Sequence, residues 1–116
     1  MFGHGSSVAA ANESVRVVTE AAAASGDWKL YETAFLECEP LLGEAVAKLV
    51  ARGAREVIVL PYFLTLGIHL RRDLPALAAE IGARHAIPIR IAPPLDGHPS
   101  LSAILVDRAV AMGAGA

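Results

Sequence analysis

Apolar positions along the chain switch back and forth between a helical and a strand period. Val8, Ala11, Val15, Val18 and Ala22 recur at three- and four-residue steps, with Glu13, Arg16 and Glu20 between them. That spacing predicts an amphipathic helix ending near Ser25-Gly26. LYETAFLE (30–37) alternates and carries strand-forming residues, so it predicts a strand. Pro40 opens a second helix, PLLGEAVAKLVARG, with Leu41, Ala45 and Leu49 facing inward and Gly53 as its stop. EVIVLPYF (56–63) begins as a near-continuous β-branched run, the pattern of a central parallel strand buried on both faces. Leu70, Leu74, Leu77 and Ile81 mark a third helix, and IPIRIAPP (87–94) reads as a further strand. A last helix begins after Pro99 and uses Leu101, Ile104, Leu105 and Met112.

With a strand ahead of the first helix, the order is β-α-β-α-β-α-β-α. Such alternation predicts an α/β fold: a small, doubly wound, mainly parallel four-stranded sheet, like half of a flavodoxin-type domain, with helices on both faces and right-handed crossovers. Only MFG precedes His4, so either the first strand is shortened or residues ahead of it are missing from this sequence. A length of 116 residues fits one domain, residues 1–116, with no repeat and no linker. A chain of this size buries roughly two-thirds of its unfolded surface, enough for a real core.

Composition narrows the class. At 54% hydrophobic and 19% charged residues, the chain is neither disordered nor a disulfide scaffold. Its single cysteine, Cys38, excludes an internal disulfide framework and fits a reducing cytosol, so a cytoplasmic location is expected. A net charge of −2 gives no sign of a nucleic-acid partner. No stretch approaches the ~20 apolar residues that span a membrane, and MFGHGSS lacks the regions of a signal peptide.

Candidate chemistry starts with that same MFGHGSS. Glycines on both sides of His4 remove bulk and let the backbone turn sharply, which displays the imidazole rather than burying it. Glu37 stands at the end of the second strand, and His69 follows the third strand after Gly67. In a parallel sheet all three fall on the rim at the carboxyl ends of the strands, where ligands bind in such folds. Two imidazoles and a carboxylate suit a divalent first-row metal, and histidine also exchanges protons near neutral pH. Spacing does not choose between Glu37 and Glu39, because strand alternation puts both on one face and either could cap the second helix. Arg71 and Arg72 sit at a helix start, where the dipole disfavours cations, which hints at an anionic partner. Ser6 and Ser7 precede a helix N-terminus, a phosphate-type site, yet GHGSS has neither the GxGxxG pattern nor the P-loop lysine. His85 reads as an ordinary helix C-terminal cation, His98 as a turn residue ahead of the last helix, and Cys38 as a small buried or semi-buried thiol.

GHGSS, AFLECEP, VIVLPYFLTLGIHLRRDLP, IAPPLDGHPSL and ILVDR, in this order, resemble the small single-domain sirohydrochlorin chelatases. These are the class II cobalt- or iron-inserting enzymes of cobalamin and siroheme synthesis; a related group inserts nickel. The resemblance runs from His4 to Arg108, and its specific parts are FLE-x-x-P and PYFL-x-x-G-x-H-x-x-x-D. It implies that His4 and His69 are the two active-site histidines and that Glu37, rather than Glu39, is the acid beside them. These three would act as metal ligands and proton acceptors, with Ser6, Arg71 and Arg72 meeting the carboxylate-rimmed tetrapyrrole. It further implies ATP-independent insertion of Co²⁺, Fe²⁺ or Ni²⁺ as substrate, no permanently bound cofactor, and a two-fold homodimer with the tetrapyrrole between its halves. The chain departs from the family pattern in its short first strand, in Ser7 where an arginine commonly follows GHGS, and in Asp96 ahead of Gly97-His98.

Three other classes are compatible with parts of the pattern. A non-catalytic metal carrier would use the same three ligands. A histidine phosphotransferase would use His4, though such enzymes typically carry arginine where this chain has Gly3. A phosphate- or flavin-binding module would use Ser6 and Ser7.

Overall fold

The computed structural model describes residues 1–115. Four strands alternate with four helices: β1 (Phe2–Gly3), α1 (Ala9–Gly26), β2 (Ala34–Phe35), α2 (Leu42–Ala51), β3 (Val57–Val59), α3 (Ile68–His85), β4 (Ile89–Ile91) and α4 (Ser100–Ala111). The expected order holds, and each strand is shorter than its apolar run.

The single four-stranded sheet is the main correction. The strands form two separate parallel pairs, β1 with β2 and β3 with β4. One isolated parallel bridge, Phe2 to Pro61, joins the pairs and sets the order β2-β1-β3-β4 across them. The physical reason lies in β1, whose two residues meet β3 only beyond its end. There the Phe2 N–H donates to the Leu60 carbonyl at 2.9 Å, the Tyr62 N–H donates to the Phe2 carbonyl at 2.7 Å, and Pro61 between them has no N–H to add.

Alternation along β1 and β2 sorts two sides. Phe2 and Ala34 join Leu42, Ala45 and Val46 of α2, Val57 and Val59 of β3, and Leu74 and Ile81 of α3 in one buried cluster. Gly3 and Phe35 face α1 instead: a Cβ at Gly3 would lie 3.6 Å from Val15 Cγ1, and the Arg16 guanidinium sits 5.4 Å above the Phe35 ring. On that side the Thr33 hydroxyl donates to Thr19 Oγ1 at 2.9 Å, and the Thr19 hydroxyl in turn donates to the Val15 carbonyl at 2.8 Å. Two buried hydroxyls are thereby satisfied without water.

Two further expectations fail for one reason. The middle of β3 is not buried on both faces: Ile58 remains 49% exposed between buried Val57 and Val59. Nor does α4 pack inward, for it has no buried residue, and Ile104, Leu105 and Met112 are exposed. The helix that should cover the α1 side of β3–β4 lies away from it. The molecule is correspondingly elongated, 54 Å by 32 Å by 28 Å.

The core between the strands and α2/α3 therefore carries the stability. Truncating Ile81, 1% exposed, should cost about 2–5 kcal/mol as an Ile81→Ala change. Urea unfolding read by circular dichroism checks this; a loss below ~1 kcal/mol would mean the α2/α3 layer does not hold the fold.

Candidate functional site

The strand order reverses between β1 and β3, so the crevice at their carboxyl ends is where this topology receives ligands. His4 leaves β1 there. The Leu36 N–H donates to the Gly3 carbonyl at 2.9 Å and the Glu37 N–H to the His4 carbonyl at 3.0 Å. The pairing of β1 with β2 thus continues, without strand geometry, to the two candidate residues His4 and Glu37. Their side chains meet: His4 Nε2 stands 3.5 Å from Glu37 Oε1, with 58% and 63% of the two side chains open to solvent. Phe63, from the loop after β3, closes one side edge-on to the imidazole, ring centroids 6.5 Å apart. It also touches Phe2 at 6.0 Å, so the wall of the site is continuous with the core.

The tautomer of His4 follows from its other nitrogen. Nδ1 lies 3.0 Å from the Gly5 carbonyl oxygen, which can only accept, so Nδ1 carries the proton. In the neutral ring Nε2 then presents a lone pair on the side of the Glu37 carboxylate. Two acceptors so placed are complementary to a shared cation or proton. Two ligands held tetrahedrally ~2.1 Å from one ion stand ~3.4 Å apart, close to the separation found here.

The loop that displays His4 is held by a residue the sequence reading passed over. Asn12, in the first turns of α1, accepts the Ser6 N–H on Oδ1 at 2.9 Å and donates from Nδ2 to the Ser6 carbonyl at 2.8 Å. Nδ2 also lies 3.5 Å from Cys38 Sγ, beside Glu37. The signal was an amide closing the run Ala9-Ala10-Ala11-Asn12, where asparagine is a poorer helix former than the alanines before it. Gly5 is required too: its φ is +89°, and a Cβ there would fall 2.7 Å from Cys38 Sγ.

The other expected residues are placed as follows. Glu37, not Glu39, is the carboxylate beside His4. His69 is exposed on the second residue of α3, and among the described residues no group of three His, Cys, Asp or Glu side chains could hold one ion. The three-way convergence is therefore a pair, because α3 begins only after the Phe63–Gly67 loop has carried the chain onward. Ser6 uses its hydroxyl to accept the Val8 N–H at 3.0 Å, which satisfies a donor at the start of α1. Arg71 reaches the Leu66 carbonyl at 3.4 Å and Arg72 pairs with Asp73 at 3.0 Å, both in solvent. His98 accepts the Ser100 N–H on Nδ1 at 3.1 Å, the expected turn role ahead of α4, and His85 ends α3. A cavity of about 650 Å³ lies at the opposite, amino-terminal end of the strands, lined by Trp28, Leu49 and Ile58 among others; none of His4, Glu37 or His69 borders it. No described helix is long and apolar enough to cross a membrane.

Fold and site together define a parallel α/β domain that offers an imidazole–carboxylate pair at its switch point. The chain belongs to the CbiX family, whose sequence pattern matches residues 1–111. It is 36% identical over 78 residues to the sirohydrochlorin cobaltochelatase of Methanopyrus kandleri, covering 66% of this chain and 54% of that protein. Among solved structures it resembles a CbiX protein of Marinobacter aquaeolei VT8, with a TM-score of 0.83 and 31% identity over 96% of this chain and 92% of that one. It also resembles the sirohydrochlorin chelatase SirB of Bacillus subtilis subspecies spizizenii in complex with cobalt (TM-score 0.87, 26% identity), covering 96% of this chain and 48% of that one. The chain thus spans about half the length of the Methanopyrus and Bacillus proteins.

The Gly5 contact yields a direct test. Gly5→Ala must adopt a left-handed backbone, costing about 1–2 kcal/mol, and must also move Cys38 or the loop. Thermal melting should show that loss; a variant that melts like the wild type would mean the loop rests elsewhere.

Proposed function

We propose that the domain is a sirohydrochlorin chelatase that inserts a divalent metal, cobalt first among Co²⁺, Fe²⁺ and Ni²⁺, without nucleotide. The observation that carries the reading is the pair His4 Nε2 and Glu37 Oε1, 3.5 Å apart on the open rim of a CbiX-family domain. The cobaltochelatase names of its relatives and the cobalt complex of a solved one support the substrate.

Insertion asks for two things: the ion must lose water, and two pyrrole N–H protons must leave the macrocycle. His4 and Glu37 hold the ion through Nε2 and a carboxylate oxygen, leaving the other coordination positions free. Glu37 adds the negative charge that favours a dication. Of the two pyrrole protons, one goes to His4 Nε2 as it releases the ion and the other to His69, which stands exposed at the start of α3 on the segment that follows β3. Arg71 and Arg72 meet substrate carboxylates by charge-assisted hydrogen bonds, Arg72 exchanging Asp73 for one of them. Ser6 contributes through its backbone and its place in the loop, with its hydroxyl already engaged.

The working unit is a homodimer. Helix α4 carries Leu101, Ile104, Leu105, Val106 and Val110 around most of its circumference, interrupted by Asp107 and Arg108, yet none of these is buried. A helix apolar nearly all round belongs inside a core. A second copy supplies that cover and the second wall around the tetrapyrrole.

Anaerobic absorbance of sirohydrochlorin with each metal, with and without protein, tests the activity. Protein-dependent acceleration, greatest with Co²⁺, is expected. His4→Ala should slow insertion by roughly 10²-fold or more and weaken Co²⁺ binding, whereas His69→Ala should slow insertion with Co²⁺ affinity nearly unchanged. A folded protein that binds Co²⁺ but leaves the rate at background would instead be a metal carrier.

The assembly has its own test. Analytical ultracentrifugation should find a dimer at micromolar concentration, and Leu105→Asp should convert it to a monomer with reduced insertion rate. A fully active wild-type monomer would overturn the assembly.

A further inference from the structure

His4 does not hold its own orientation. Its Nδ1–H donates to the Gly5 carbonyl, and that carbonyl belongs to the same peptide unit as the Ser6 N–H. The Ser6 N–H in turn donates to Asn12 Oδ1 at 2.9 Å. One rigid, planar amide is thus gripped at both ends, by the imidazole on its oxygen and by Asn12 on its nitrogen. Asn12 Nδ2 fixes the next peptide through the Ser6 carbonyl at 2.8 Å, so the side-chain amide meets one donor and one acceptor, and its orientation is unambiguous. The same nitrogen lies 3.5 Å from Cys38 Sγ, on the loop that carries Glu37. Nothing else in the loop does this work: Ser6 Oγ is turned to Val8, and glycines flank His4.

We infer that Asn12 is the positioning residue of the site, holding the Gly5–Ser6 peptide so that His4 stays the Nδ1–H tautomer with Nε2 free beside Glu37. An outer partner of this kind fixes both tautomer and ring direction of a metal-binding histidine, and its loss typically weakens metal affinity 10–100-fold. Without it, Gly5 and the two serines leave the loop several backbone conformations, and the Gly5 carbonyl no longer waits at Nδ1. The tautomer part stands on the geometry alone, whereas the metal part rests on the chelatase reading.

The two parts separate in one set of experiments on the full chain. Nitrogen-15 NMR of the imidazoles at a pH where His4 is neutral should show Nδ1 protonated in the wild type, with the His4 signal assigned by its absence in His4→Ala. In Asn12→Ala the signal should move toward the Nε2–H form, with thermal melting little changed because alanine favours the helix. Co²⁺ titration should give about 10–100-fold weaker binding. Asn12→Asp keeps an acceptor for the Ser6 N–H and should restore the Nδ1–H signal; it also serves if Asn12→Ala fails to fold. An Asn12→Ala protein that keeps the Nδ1–H tautomer overturns the inference, whatever its melting temperature. If the tautomer shifts while Co²⁺ binds equally to wild type, Asn12→Ala and His4→Ala, Asn12 still positions His4, and it is the metal-site reading that falls.

Discussion

Phe2 exchanges two backbone hydrogen bonds with the segment beyond β3, from its N–H to Leu60 and from Tyr62 to its carbonyl, and the layout of the site follows from them. Without that bridge β1–β2 and β3–β4 would be two unrelated ribbons, each too small to stand alone. With it, Phe2 becomes the meeting point of both pairs, 1% exposed in the cluster that α2 and α3 cover. The bridge also sets Phe63 against Phe2, and through Phe63 the edge of the His4 ring. A parallel contact one residue long thus does the positioning that a full ladder performs in larger sheets. Position comes from the bridge, and rigidity from the apolar packing beneath it.

From that point the chemistry builds outward in peptide units. β1 ends at Gly3, the His4 carbonyl holds the Glu37 N–H, and the two side chains are left 3.5 Å apart. Next, the Gly5 carbonyl selects the His4 tautomer, and the positive φ at Gly5 turns the chain toward Asn12. Each link is a backbone group doing for a side chain what another side chain does in a larger protein. That explains why a glycine follows the histidine: the close approach of Gly5 to Cys38 leaves no room for a Cβ.

Much of this was legible in the sequence, and what was not has specific causes. The alternation of periods located every element except β1, which is too short to show one, because a helix packed on a strand must repeat its apolar residues at three or four and a strand at two. Strand lengths were overestimated because an apolar run reports burial, whereas a strand also needs a partner. Residues 60–63 are apolar, but only Pro61 finds a bridge. The same gap misled the reading of β3 as buried on both faces: periodicity says a residue prefers burial and cannot say that the covering helix belongs elsewhere, as Ile58 and α4 demonstrate. At the site, topology brought His4 and Glu37 to one rim correctly, while the choice of Glu37 over Glu39 came from family resemblance, since alternation treats both alike. His69 was expected on the same rim, and the structure does not join it to the pair in a three-residue group, because a loop of several residues hides how far it carries the chain. Asn12 was missed for a different reason: its role is to bond a backbone, and backbone partners leave no mark in a sequence.

On the chelatase reading, the openness of the pair is a functional requirement. Structural metal sites close four ligands around the ion and hold it, whereas sites that act on a substrate keep a position free. An ion meant for a tetrapyrrole must give up its protein ligands as the pyrrole nitrogens take hold, so a cage of three or four side chains would retain it. One imidazole and one carboxylate, both more than half exposed, hold a dication against bulk water while leaving most of its coordination to water and to the incoming macrocycle. A few ligands can suffice only if they are well oriented, because a loose pair would lose in conformational freedom what it gains in attraction. The Gly5–Ser6 peptide and the His4–Glu37 backbone bond supply that orientation from outside the coordination sphere. Weak holding and firm placement are thus compatible here because different atoms carry them.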